Sequence, residues 1–195
     1  MPSFLQNLHW RRAVKKFVPG PPIDTKPIEN AIVAAPTSFG LQPYRVIAVR
    51  DAATKAKLRE ASYGQAQVTD CDTLFVFCAR MDVMKRAEEY IAATGAKSLR
   101  PMLMGFLQGK NQAVDGLAHW AEKQTYIALG FALAAAAEAE LASCPMEGFN
   151  SKSVWDILQP GADLWPIAYL AVGHTTPGDE GVYPRFRFPA EDLLG

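Results

Sequence analysis

Apolar residues along the chain fall into short dense runs, separated by stretches in which they recur every third or fourth position. The run at 44–49, Tyr-Arg-Val-Ile-Ala-Val, is β-branched and aromatic and predicts a strand. Residues 72–79 contain Thr-Leu-Phe-Val-Phe-Cys, apolar on both faces, which predicts a central strand of a sheet covered on both sides. Further strands are predicted at 141–145 and at 167–173, the latter again apolar on both faces. Helical spacing predicts a helix over 3–15 with Ser3 as N-cap, a second from Asp24 or Thr25 to about 35, and a third at 52–62 behind Asp51. Residues 63–67 read as a polar link. Residues 81–110 read as helices broken near Gly95 and Pro101, and residues 114–139 as the longest helix. Asn150 and Ser151 can cap a helix to Leu158, which Pro160-Gly161 ends. This order implies a mixed α/β sandwich with a central sheet.

The second half of the longest helix, 127–137, is apolar nearly all round and so is expected to be buried. In a chain of 195 residues this also hints at a partner subunit covering one side. The apolar run 126–137 is about two-thirds of the roughly 20 residues that a bilayer span needs, so it reads as a core helix and no membrane is implied. Charges balance at 20 basic and 20 acidic, which gives no case for nucleic acid. Three cysteines (Cys71, Cys78, Cys144) without C-x-x-C spacing fit a reduced, cytoplasmic setting. Trp10-Arg-Arg12 stands where a signal peptide needs its apolar stretch. Length and apolar content fit a single domain over 1–195, with a helical excursion at about 81–112.

Several chemistries find no motif. There is no G-x-G-x-x-G after a strand, no H-E-x-x-H and no G-x-S-x-G. Gly105-Phe-Leu-Gln-Gly-Lys-Asn111 lacks both the spacing and the hydroxyl of a P-loop. The three histidines (His9, His119, His174) are scattered, and no metal site is read. Arg11, Arg12, Lys15 and Lys16 form a basic cluster. It reads either as a solvated helix end or as an anion site, where guanidinium forks grip phosphate. Pro36, Gly40 and Pro43 impose an irregular loop before the first strand and present Thr37 and Ser38.

An ordered set of motifs resembles the nitroreductase family of FMN-dependent NAD(P)H oxidoreductases. The set is Arg11-Arg-Ala-Val-Lys-Lys-Phe17, Ala35-Pro-Thr-Ser-Phe-Gly-Leu-Gln-Pro-Tyr44, Gly64-Gln-Ala-Gln-Val68, Cys144-Pro-Met-Glu-Gly-Phe149, Ala168-Tyr-Leu-Ala-Val-Gly-His174 and Arg185-Phe-Arg187. It covers almost the whole chain. The resemblance implies an α+β fold, a nitroreductase-like mixed α/β sandwich whose central antiparallel-rich sheet is flanked by helices, in an intertwined homodimer. It implies two tightly bound FMN molecules at the subunit interface, NAD(P)H as co-substrate, and a small flat aromatic or quinone-type acceptor.

The same resemblance assigns roles. Arg11, Arg185 and Arg187 match positions that hold the phosphate, with Arg12 in the same segment. Lys15 matches the lysine beside the flavin pyrimidine edge, where a fixed cation stabilises the negative charge of the reduced ring. Pro36, Thr37 and Ser38 match a loop that reaches the flavin of the other subunit. Pro145, Met146, Glu147 and Gly148 match the loop on one flavin face, with the Glu147 backbone N–H meeting N5. Phe106 falls where the family places an aromatic over the substrate pocket, with Gly40 and Leu41 beside it. No catalytic side chain is nominated.

Three departures stand out. Ala13 replaces a common Ser near the cofactor tail, and that lost hydrogen bond is worth on the order of 1 kcal/mol. Gly64 replaces a frequent Asn, leaving Gln65 and Gln67 as donors to the ring. Gln67 also stands where some members have a second lysine, so the reduced ring is expected to be less stabilised here. Two other readings remain at this stage. One is a non-catalytic flavin-binding or storage protein. The other is a reductive dehalogenase of the iodotyrosine type, whose lid set Glu88, Glu89, Tyr90 and Lys97 does not match by spacing.

Overall fold

The computed structural model describes residues 2–113, 116–176 and 186–195. Four strands form one antiparallel sheet in the order β1-β2-β4-β3: β1 (Tyr44–Val49), β2 (Thr73–Arg80), β3 (Ala142–Met146) and β4 (Leu164–Gly173). The helices are α1 (Phe4–Trp10), α2 (Lys26–Ala34), α3 (Ala52–Ala61), α4 (Gln67–Asp70), α5 (Val83–Thr94), α6 (Arg100–Gln112), α7 (Gly116–Glu138), α8 (Ser151–Leu158) and α9 (Ala190–Leu193). This is the expected α+β sandwich with an antiparallel sheet between helical layers.

The two central strands are buried on both faces because each face meets helices. In β2, Leu74, Val76 and Cys78 point to one layer, with Leu58 of α3, Val68 of α4 and Val154 of α8. Phe75 and Phe77 point to the other, against Ile28 and Ile32 of α2 and Ala128, Ala132 and Ala136 of α7. The period of two is that of the pleat. Burying each such phenylalanine contributes up to about 3 kcal/mol. The alanines of α7 let the helix lie close on the sheet. A third apolar cluster joins α5, α6 and the start of α7 through Leu103, Leu107, Ala121 and Trp120.

Caps follow the sequence where local chemistry decides. Ser3 and Gln6 form a reciprocal capping box. Asp51 and Asn150 accept from Thr54 N and Ser153 N. Asp24, rather than Thr25, accepts from the Lys26 N–H. Gly95 ends α5 in the left-handed region (φ 70°), and Pro101 opens α6.

Three expectations are corrected. The first helix ends at Trp10 rather than near 15, because the following segment pairs with the sheet. Ala13 bridges Ser143 in parallel, Val14 N–H donates to the Ser143 carbonyl (3.0 Å), and Val18 N–H donates to that of His174 (3.0 Å). Long-range pairing outweighs helix propensity there. The link at 63–67 turns through positive φ at Tyr63 and Gly64 and enters α4. The apolar half of α7 is buried on one side only, leaving Tyr126, Ile127 and Phe131 about two-fifths exposed. No helix among the described residues is long and apolar enough to cross a membrane.

Candidate functional site

The pairing of 13–14 with β3 carries the basic segment alongside the loop that leaves β3. Lys15 Nζ, part-buried, donates to the Sγ of the buried Cys144 at 3.5 Å. Burial pushes the Cys144 thiol up, and Lys15 and Arg11 pull it only partly back. Burial likewise pushes Cys71 to about 11 and Cys78 to about 12. All three thiols therefore stay protonated at neutral pH. The ammonium beside Cys144 is not visible in linear sequence, since 129 positions separate the two residues.

Loop 145–150 is tied down at several points. Gln65 Nε2 donates to the Gly148 carbonyl at 2.6 Å, Phe149 N–H to the Glu147 carbonyl at 2.9 Å, and Asn150 N–H to the Ala61 carbonyl at 2.8 Å. Phe149 stacks on Tyr169 with ring centroids 4.1 Å apart. A Cβ on Gly148 would stand 2.8 Å from Gln65 Nε2, so the bare Cα is what admits the glutamine amide. Glu147 is exposed, and its backbone N–H has no protein acceptor among the described residues. Its carboxylate accepts from the Tyr126 hydroxyl of α7 at 2.7 Å. Burial and that carboxylate both push the Tyr126 hydroxyl above its ordinary range.

Loop 36–41 is held by the same helix on a different side. Ser38 N–H donates to Gln124 Oε1 at 2.9 Å, and Thr37 Oγ1 accepts from Gln42 N–H at 2.9 Å. Phe39 adopts φ 58°, a left-handed conformation unusual for an aromatic residue. Its ring packs edge-on against Phe106 (5.2 Å), which packs edge-on against Trp120 (6.3 Å). Lys110 Nζ lies 5.4 Å from the Phe106 centroid. Phe106 thus joins α6 to the loop, with Gly40 exposed beside it and Leu41 buried in the α5–α6 cluster.

The structure therefore brings Lys15, Pro145, Met146, Glu147, Gly148 and Gln65 together around the β3 edge, with Arg11, Arg12 and Ala13 on the segment paired to it. Gln67 is buried at the start of α4. Pro36, Thr37, Ser38, Gly40 and Phe106 form a second group. No hydrogen bond, ion pair or ring contact among the described residues joins 36–38 to 145–148 in one chain. Arg187 is exposed, with Nη1 donating to its neighbour Phe186's carbonyl, and Arg185 lies outside the described residues. Sequence reasoning missed Gln124, Tyr126 and Phe39. The available signal was two polar side chains interrupting the most apolar helix.

A model of the nitroreductase family matches residues 8–174. An NADH dehydrogenase of Thermus thermophilus is 33% identical over 94% of this chain and 91% of its own. A protein of Staphylococcus aureus named as an NAD(P)H nitroreductase is 30% identical over 80% of this chain and 77% of its own. A solved nitroreductase-type structure from Exiguobacterium sibiricum, in complex with FMN, superimposes with a TM-score of 0.81. It covers 100% of this chain and 97% of its own at 20% identity.

Proposed function

The chain belongs to the nitroreductase family, and on that premise we propose that two copies of it hold FMN and use NAD(P)H to reduce small flat nitroaromatic or quinone-type acceptors. The observation that carries the reading is the juxtaposition at the β3 edge. A cationic segment bearing Arg11, Arg12 and Lys15 lies beside a tethered loop in which the N–H of the exposed Glu147 has no acceptor among the described residues.

The residues present fit the cofactor. Guanidinium groups suit a phosphate tail, an ammonium suits a ring edge that gains negative charge, and a free backbone N–H suits a ring nitrogen. FMN, when bound, supplies the two-electron redox chemistry. Arg11 and Arg12 hold its phosphate, and Arg185 and Arg187 are proposed to join them. Lys15, whose ammonium contacts Cys144 at 3.5 Å, would place a positive charge at the ring edge. The Glu147 N–H orients the ring, and Gly148 keeps the backbone close to it. Donor and acceptor would bind in turn, a ping-pong order, and Phe106 and Phe39, packed edge-on at 5.2 Å, would line the acceptor side.

The arrangement on α7 supports a shared site. Residues two apart on a helix point roughly 200° apart. Gln124, which holds loop 36–38, and Tyr126, which holds Glu147, therefore serve opposite sides of α7. One chain does not close both loops on one ligand, whereas a two-fold dimer lets each copy complete the other's site. The bare strip of Tyr126, Ile127 and Phe131 supplies an apolar surface for that dimer.

Anaerobic addition of NADH or NADPH to the FMN-loaded protein is expected to bleach the flavin band, and a quinone or nitroaromatic to restore it. A flavin that stays oxidised with both nucleotides sinks the oxidoreductase reading in favour of a flavin-binding protein.

A further inference from the structure

We propose that Tyr126 is a positioning residue for the backbone donor of Glu147, and thereby sets how the flavin ring is held. The proposal rests on the reading of 145–148 as the flavin-facing loop. The other tethers described for this loop act on its carbonyls, at Asn150 or on the Phe149 ring: Gln65 on Gly148, Phe149 N–H on the Glu147 carbonyl, Ala61 at Asn150, and Tyr169 stacked on Phe149. Tyr126 alone, among the described residues, grips the side chain of Glu147, and it does so from a different helix.

An exposed glutamate ordinarily gives its carboxylate to water. Here a phenol donates to one carboxylate oxygen at 2.7 Å, the short geometry of a charge-assisted bond. Because its hydroxyl is pushed above its usual range, Tyr126 remains a donor at every physiological pH. The bond fixes the Glu147 side chain, and through its Cα the plane of the peptide that carries the N–H. Tyr126 also belongs to the bare strip of α7 with Ile127 and Phe131. A second copy covering that strip removes water from around the bond and strengthens it. Subunit association and the aim of the loop are thereby coupled through one hydroxyl.

The alternative is that Tyr126 serves only as an interface aromatic. Tyr126→Phe keeps the ring and removes the hydroxyl, so it separates the two roles. Amide hydrogen exchange at 146–149 in the flavin-free dimer reads the tether alone. The reduction potential and absorption band of bound FMN read its consequence. Tyr126→Phe is expected to speed exchange at Glu147 and Gly148 about fivefold or more, and to leave α3 and α8 unchanged. It is also expected to shift the flavin band and potential and to lower kcat without raising the acceptor KM. Glu147→Ala should reproduce these effects, with little added in the double variant. Glu147→Gln, which keeps an acceptor for the phenol, should lie nearer wild type.

Unchanged exchange with only the dimer dissociation constant moved overturns the proposal. Faster exchange with flavin properties untouched overturns the link from loop to ring. A wild-type dimer that takes up no FMN overturns the functional reading itself, while the exchange experiment still judges the tether.

Discussion

Phe131→Glu is expected to dissociate the proposed dimer and, with it, to release the flavin. Phe131 is 42% exposed on α7 in one chain and takes no part in the apolar clusters of the fold. A carboxylate there leaves the isolated subunit folded, because water reaches it. Across an isologous interface the same carboxylate is buried twice without a partner. Burying unpaired charges of this kind costs on the order of 3–5 kcal/mol, roughly 200- to 5,000-fold in the dissociation constant. Sedimentation should show monomer, circular dichroism an intact fold, and the 450 nm band should be lost on gel filtration. Phe131→Leu, which stays apolar, should retain both dimer and flavin. A Phe131→Glu monomer that keeps its flavin would show that one chain suffices for the site and overturn the shared arrangement.

Lys15→Met lowers the reduction potential of the bound flavin and slows its reduction. Lys15 stands on the segment that Ala13 and Val14 pin to β3, and its ammonium contacts Cys144 at 3.5 Å. The contact places a fixed charge next to the 145–148 loop instead of leaving it on a free surface arm. Methionine keeps the length of the stem and removes the charge. Interactions of a charged group through hydrogen bonding are worth about 1.5–3 kcal/mol, or about 30–65 mV for a two-electron couple. The potential should therefore fall by that amount, and it should recover in part in Lys15→Arg. Gln67→Lys carries the opposite sign and should raise the potential. Gln67 is 8% exposed, so the added ammonium must displace a buried amide, and the gain should be smaller than the loss at Lys15. Potentials that ignore both substitutions would remove Lys15 from the flavin edge.

What the sequence revealed and what it hid divide along physical lines. The strands were legible because β2 and β4 are apolar on both faces, a pattern that only a doubly covered sheet satisfies. The caps at Asp51 and Asn150 were legible because capping is local chemistry. The end of the first helix was not, because Val14 leaves helical geometry to bond a carbonyl on β3, far away in sequence. The same distance hid the Lys15–Cys144 contact. Glu147 and the 36–38 loop were found as members of a motif set. Their supports, Tyr126 and Gln124, were hidden inside a helix whose overall apolarity masks single polar positions. The bare face of α7 was foreshadowed by that same apolarity, since a helix apolar all round needs cover on every side.

Two copies are proposed to build the flavin site between them. Sedimentation of the FMN-reconstituted protein, followed at 280 and at 450 nm, tests it most directly. The 450 nm absorbance is expected to travel with a species of twice the 21.3 kDa chain mass, at one flavin per chain. Flavin travelling with a single chain, or a dimer carrying none, would contradict it.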